Sequence, residues 1–240
     1  MRKNGFFYLG ENSLEYGLRI ENGLSFESPE RDLDFVEIKG RDGDLVIDNQ
    51  RLKMVEKSVP VTMFPVSGKN LSEQASDVSN WLKQSTGYTY IEFLNDDRYV
   101  YFGMIYEKYS MDQFLTRYGR AVLNFRMMPF KFLKVGLEEE VLTQYGSNPT
   151  TLPSKPKLTV KGHGDILIRI GKSEWSLKGV SEGIVLDTLF DTAISLNGNV
   201  SAWDKVGKYP LPKILPGMQE VKVTGNVTEV KIIPRWEALM

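Results

Sequence analysis

From residue 157 onward the chain is written in short alternating runs closed by turn residues. They are KLTVKG (157–162), DILIRIG (165–171), EWSLKG (174–179), GIVLD (183–187), AISLNG (193–198), QEVKVTG (219–225) and TEVKIIP (228–234). Successive side chains of a strand point to opposite faces, so this alternation describes strands with one buried face. Repeated short strands with turn signals at about eight- to twelve-residue spacing predict a β-sandwich or barrel.

The first half follows the same rule with one exception. DLVID (44–48), YTYIEF (88–93) and RYVYFGMIYEKY (98–109) alternate, and the polar NDD (95–97) between the last two predicts a β-hairpin. GKNLSEQASDVSNWLKQSTG (68–87) instead sets Leu71, Ala75, Val78 and Leu82 at helical spacing, with Trp81 alongside. Asn70 and Glu73 spell a capping box and Gly87 a stop, which predicts a single amphipathic helix of about three turns. Gly40–Arg41–Asp42–Gly43, a polar pair between glycines, predicts a tight turn with left-handed glycine.

Between the halves, LEEEVLTQYGSNPTTLPSKP turns polar and rich in Pro and Gly. Pro149, Pro153, Pro156 and Gly146 argue against a helix or a central strand there, so residues 139–156 are expected to form a connection. The fold expected is mainly β, with two β-sandwich-like domains. Residues 1–142 would form the N-terminal one, carrying the single α-helix, and residues 143–240 the C-terminal one.

Composition narrows the function. Thirty Lys+Arg against 31 Asp+Glu leave a net charge of −1, without the basic excess of a nucleic-acid binder. The absence of Cys excludes disulfides, thiolate metal sites and Cys nucleophiles, and fits synthesis in a reducing cytoplasm. The start, MRKNGFFYLGENSLEYGL, is interrupted by Gly5, Gly10, Glu11 and Asn12 and reads as no signal peptide. No run approaches the ~18 apolar residues of a membrane span. The sequons at Asn70, Asn199 and Asn226 are read as chance.

The single histidine lies in His163–Gly164–Asp165. It could be a base oriented by Asp165, but one His without Cys is a poor metal set, and Asp beside Gly commonly caps a turn. The turn reading is preferred, and no catalytic, cofactor-binding or metal-binding residue is assigned. Hydrolase, zinc-protease and P-loop motifs are missing. The acids at Asp42/Asp44, Asp96/Asp97 and Glu138–Glu140 read as turns and a solvated run rather than a glycosidase pair. The hairpin aromatics Tyr88, Tyr90, Phe93, Tyr99, Tyr101, Phe102, Tyr106 and Tyr109 occupy both parities. They read as a stacking platform or, preferably, as a hairpin covered on both faces, one of them by a neighbouring subunit.

Several stretches, taken in order, resemble the distal tail (Dit) proteins of long-tailed, siphovirus-type bacteriophages. They are FFYLGENSLEYGLRIENG, VEIKGRDGDLVID, VSNWLK, YVYFGMI and GRAVLNFRMMPFKF, followed by NPTTLPSKPKLTVKGHGDILIRI, GIVLDT and LPGMQEVKVTGNVTEVKIIPRWEAL. Gln219 stands where that family often has Asn, and IGKSEW (170–175) lacks the usual Ile-Asn-Gly. The resemblance covers nearly the whole chain. It implies a structural, non-enzymatic virion protein at the tail tip, synthesised in the bacterial host cytoplasm. It also implies a hexameric ring made by the N-terminal domains and outward-pointing, galectin-like C-terminal sandwiches. The implied partners are the major tail tube protein, the tail-fibre or tail-associated lysin protein, and receptor-binding or baseplate proteins. DNA would meet the ring only in transit through its channel, and no membrane or cofactor is implied. Gly40, Arg41, Asp42 and Gly43 become a candidate turn and subunit interface, with residues 44–64 as an arm that clasps the next subunit. The alternative is a carbohydrate-binding protein recognising host surface glycans through the C-terminal sandwich, with Trp175 and Trp203 as stacking residues. A glycan hydrolase is a third, weaker reading.

Overall fold

The computed structural model describes residues 4–21, 25, 27–114, 117–198 and 200–240. Contacts divide the chain into two compact units. One is Met1–Lys131 with Leu239–Met240, the other Phe132–Ala238. The architecture is mainly β, with one α-helix among the described residues.

The first unit contains β1 (Phe6–Tyr8), β2 (Glu11–Asn12), β3 (Leu18–Ile20), β4 (Arg31–Val36), β5 (Leu45–Leu52) and β6 (Val55–Met63). Helix α1 (Leu71–Leu82) follows, then β7 (Thr89–Phe93), β8 (Tyr99–Met104), β9 (Asp112–Phe114) and β10 (Tyr118–Leu133), whose last two residues are counted in the second unit. Its main sheet runs β2-β1-β7-β8-β10-β6-β3, with β9 also paired to β10. Alternation decides which face is buried. Val59, Val61 and Met63 of β6 and Ala121, Leu123, Phe125 and Met127 of β10 point into the core, and Leu123 lies opposite Val59. Burying each such large side chain is worth about 1.5–3 kcal/mol.

Helix α1 covers that face. Its capping box is present: Asn70 Oδ1 accepts from the Glu73 N–H at 2.9 Å, and Glu73 reaches back to the Asn70 N–H at 3.2 Å. The helix ends at a Lys83 C-cap, not at the expected Gly87. Leu71, Val78, Trp81 and Leu82 are buried. Ala75 is only partly buried, and Gln74 takes the core position instead. Gln74 is fully satisfied there: its amide N–H groups donate to the Tyr16 and Phe64 carbonyls at 2.8 Å, and its oxygen accepts from Val66 N–H. Trp81 stacks on Tyr16 at 4.5 Å and on Phe6 at 5.7 Å, and its indole N–H donates to the Tyr8 carbonyl at 3.1 Å.

The second unit begins earlier than residue 143. Trp236 packs on Gly136, where an added Cβ would lie 2.6 Å from its ring. Leu133 N–H donates to the Trp236 carbonyl, and Arg235 N–H to the Gly136 carbonyl. The expected connection is also partly strand: β11 (Glu140–Val141) and β12 (Tyr145–Asn148) both pair with the last long strand. The remaining strands are β13 (Lys157–Ile170), β14 (Ser173–Val180), β15 (Gly183–Asp187), β16 (Thr192–Ser195), β17 (Gly217–Ile233) and the short β18 (Glu237–Leu239).

Two expected turns are not turns. Runs 157–162 and 165–171 are one continuous strand, β13, and runs 219–225 and 228–234 are one strand, β17. The two pair antiparallel along their length, with register shifts between Lys161 and Gly162 and between His163 and Leu167. Bulges bend a ladder without ending it. The first part of β13 pairs with β15, and its last part with β14. The bent pair β13–β17 therefore belongs to two sheet faces at once, and these enclose Leu158, Val160, Ile168, Trp175, Leu177, Ile184, Leu186 and Ile232. Gly225 sits in this bend at φ 109°, and a Cβ there would fall 2.4 Å from the Asp165 carbonyl oxygen.

Candidate subunit interface

His163, Gly164 and Asp165 lie in the β13 bulge, exposed to solvent. The imidazole Nδ1 contacts the Ser181 carbonyl, while Asp165 accepts the Gly179 N–H at 2.9 Å. The two side chains hold separate backbone groups and form no catalytic pair. A groove in the second unit is lined by Val141, Lys161, Val223, Val227 and Glu229 among others. Its one carboxylate, Glu229, is paired with Lys161 at 2.8 Å, and that ion pair holds the carboxyl below its ordinary pKa. A glycosidase needs two acids. Among the described residues no group of three or more His, Cys, Asp or Glu could hold a metal ion.

The stretches that carry the family resemblance prove to be architectural. Asn148 of NPT is buried. Its amide donates to the Leu152 carbonyl at 2.8 Å and the Ile214 carbonyl at 3.2 Å, and its oxygen accepts from Thr150 N–H and hydroxyl. Asp187 of GIVLDT and Arg235 of PRW, distant in sequence, form a buried bidentate ion pair at 2.5 and 2.8 Å. Lys155 donates to both oxygens of buried Glu237, at 3.0 and 2.9 Å; desolvation nevertheless raises the Glu237 pKa.

The feature that remains unexplained within one chain is the hairpin β4–β5. Gly40 (φ 83°) and Gly43 (φ 77°) make its turn, and Arg41 and Asp42 between them are exposed. The left-handed glycines match the expectation for this turn. Beyond it the ladder pairs Val36 with Leu45, Phe35 with Val46, Asp34 with Ile47 and Leu33 with Asp48. Asn49 donates to Asp34 at 3.0 Å, Arg51 to Asp32 at 2.5 Å and Lys53 to Glu30 at 3.0 Å. The apolar residues are uncovered. Phe35 is 64% exposed, and Val36, Leu45, Val46 and Ile47 are 41–52% exposed. Consecutive residues point to opposite faces, so both faces of the hairpin are apolar and bare. No β4 or β5 residue joins the core of the first unit. A lone two-stranded hairpin is marginal in water, and contiguous exposed apolar surface marks an interaction site.

The expected arm, residues 44–64, is thus corrected. Residues 45–52 belong to this hairpin, but Val55–Met63 is β6, a core strand between β10 and β3. The period-two pattern is the same in both segments, so sequence could not separate them. The hairpin aromatics at 88–109 behave as expected on one face, where Phe93 and Tyr101 are buried with ring centroids 5.2 Å apart. On the other face Tyr88 and Tyr90 lean on Phe102 and stay about 40% exposed. Of the two tryptophans named for glycan stacking, Trp175 is only 2% exposed inside the second unit and offers no ring face to a ligand. Trp203 is half-buried, on the 3-10 turn Trp203–Lys205.

No family model matches the chain, and no curated protein does. Solved structures do. The chain is similar to the Dit protein of phage SPP1, described as a paradigm of the hub adsorption apparatus in phages infecting Gram-positive bacteria. The TM-score is 0.66 at 15% identity, over 95% of this chain and 96% of that one. A chain of the phage p2 baseplate, in its activated conformation with Sr, gives a TM-score of 0.52 at 10% identity over 90% of both chains. At such identities the likeness is one of fold. It runs nearly end to end, and this chain has the mainly β fold of a Dit-type phage baseplate protein.

Proposed function

We propose that the protein is a structural subunit of a phage tail tip, non-enzymatic, that closes with copies of itself into a hexameric ring. The observation that carries this is the exposed hairpin β4–β5 on a chain whose fold is matched along almost its whole length by a hub protein. In a closed ring each subunit presents two different complementary surfaces, and an arm with two bare apolar faces suits one of them. The turn Gly40–Arg41–Asp42–Gly43 would then sit at the reaching end of the arm. The half-exposed Tyr88 and Tyr90 offer a further surface for a neighbour. The ring would join the tail tube to the tail-fibre or tail-associated protein and to baseplate proteins carrying receptor-binding machinery, with DNA passing through its channel. The C-terminal unit would be the galectin-like, outward-facing part. Negative-stain electron microscopy of the purified chain tests this: rings with six-fold averages and a central opening are expected, and a field of isolated single subunits at every concentration would rule the proposal out.

A further inference from the structure

Three loops of the second unit bring aromatic rings to the surface. The turn after β15 carries Phe190, 49% exposed, and Asp191. The 3-10 turn carries Trp203, and the loop beyond it carries Tyr209, 66% exposed. These rings are held in place. Tyr209 stands edge-on to Trp203, with centroids 5.7 Å apart and planes at 73°, and its hydroxyl donates to Asp191 Oδ2 at 2.7 Å. Asp191 adopts φ 52°, a left-handed backbone uncommon outside glycine. Phe190 lies over the Arg235 guanidinium at 5.4 Å. That guanidinium is clamped by Asp187, whose Oδ1 also accepts the Leu189 and Phe190 N–H groups at 3.0 and 3.2 Å. The Thr188 hydroxyl donates to the Pro212 carbonyl and ties two of the loops together.

We propose that this corner, Phe190, Trp203 and Tyr209, binds a saccharide. Pyranose rings present apolar C–H faces bordered by hydroxyls, so they need an aromatic face with polar groups beside it. Here the rings alternate with such groups: Asp191, Asp204 and Lys208 lie in the same loops and are exposed. Rings already fixed by hydrogen bonds and an ion pair lose little freedom on binding, which lowers the cost of capturing a weak ligand. A protein partner fits less well. Stable protein interfaces use about 20–30 residues a side around a desolvated apolar centre, whereas among the described residues of loops 188–210 the exposed large hydrophobics are Phe190, Val200 and Tyr209. The site is independent of ring formation, which is assigned to a hairpin of the other unit.

The full-length chain on an array of bacterial and animal surface saccharides, followed by calorimetric titration of the best-retained oligosaccharide, tests the site. Retention is expected, with at least about tenfold weaker binding for Tyr209→Ala and for Phe190→Ala, and a loss within about threefold for Tyr209→Phe, which keeps the ring. Tyr209 is mostly exposed, so Tyr209→Ala should leave the melting curve unchanged and separate lost binding from lost folding. No retained saccharide, or retention unaffected by both alanine variants, overturns the proposal. So does a change in native mass in Tyr209→Ala, since that would make the corner a protein contact.

Discussion

Arg235 and Asp187 are each under 10% exposed, and a buried charge is tolerated only when it is paired. Asp187→Ala should cost about 3–5 kcal/mol, because it leaves the guanidinium without its bidentate partner, and a chemical denaturation curve would read the loss. His163→Ala, at an exposed bulge position, should stay within about half a kcal/mol by the same measurement. Glu237 adds a pH signature. Desolvation raises its folded pKa above the ordinary value, so its favourable contribution is full below the ordinary carboxyl range and is lost as pH rises through the raised value. The stability difference between wild type and Glu237→Gln should therefore move against wild type as pH rises above the ordinary carboxyl range. Both members of the Asp187–Arg235 pair stand in stretches noted for the family resemblance, yet nothing local in the sequence says that they meet. Contacts across 48 positions depend on how strands are ordered, which alternation leaves open.

At the scale of elements, α1 was legible because its signals are local: a capping box, a 3.6-residue period and a single amphipathic face. Asn70→Ala should cost about 1 kcal/mol, read from the thermal midpoint. The long strands were harder. GHGD and TGNVT have the residue types of turns, and the same types serve a bulge when two long strands run on together. Gly225 marks the difference, since a turn glycine has space around it and this one abuts a backbone carbonyl. Gly225→Ala should destabilise by about 1–3 kcal/mol, combining the unfavourable φ with the close approach to Asp165. A loss near zero would mean that the bend is more open than described.

At the scale of the whole molecule, the change of composition near residue 140 marked a division, but contacts place it at 131/132. The polar run starts only at Glu138, so the sequence leaves residues 132–137 with the first half; what ties residues 132–142 to the second unit is a glycine under a tryptophan and a two-residue ladder, neither of which has a periodic signal. The candidate interface was only half legible for a similar reason: its turn was plain, while the bareness of the flanking strands is a property of what they fail to pack against. The claim that ties these scales together is that β4–β5 is an assembly arm rather than part of the subunit's own fold. Its most direct test is the native mass of the intact chain beside a variant in which residues 34–47 are replaced by a two-residue turn, leaving β6 and the core untouched. The account predicts six times the 27.4 kDa chain mass for the intact protein and a folded single chain for the variant. An intact protein that stays at 27.4 kDa, or a variant that still assembles, would contradict it.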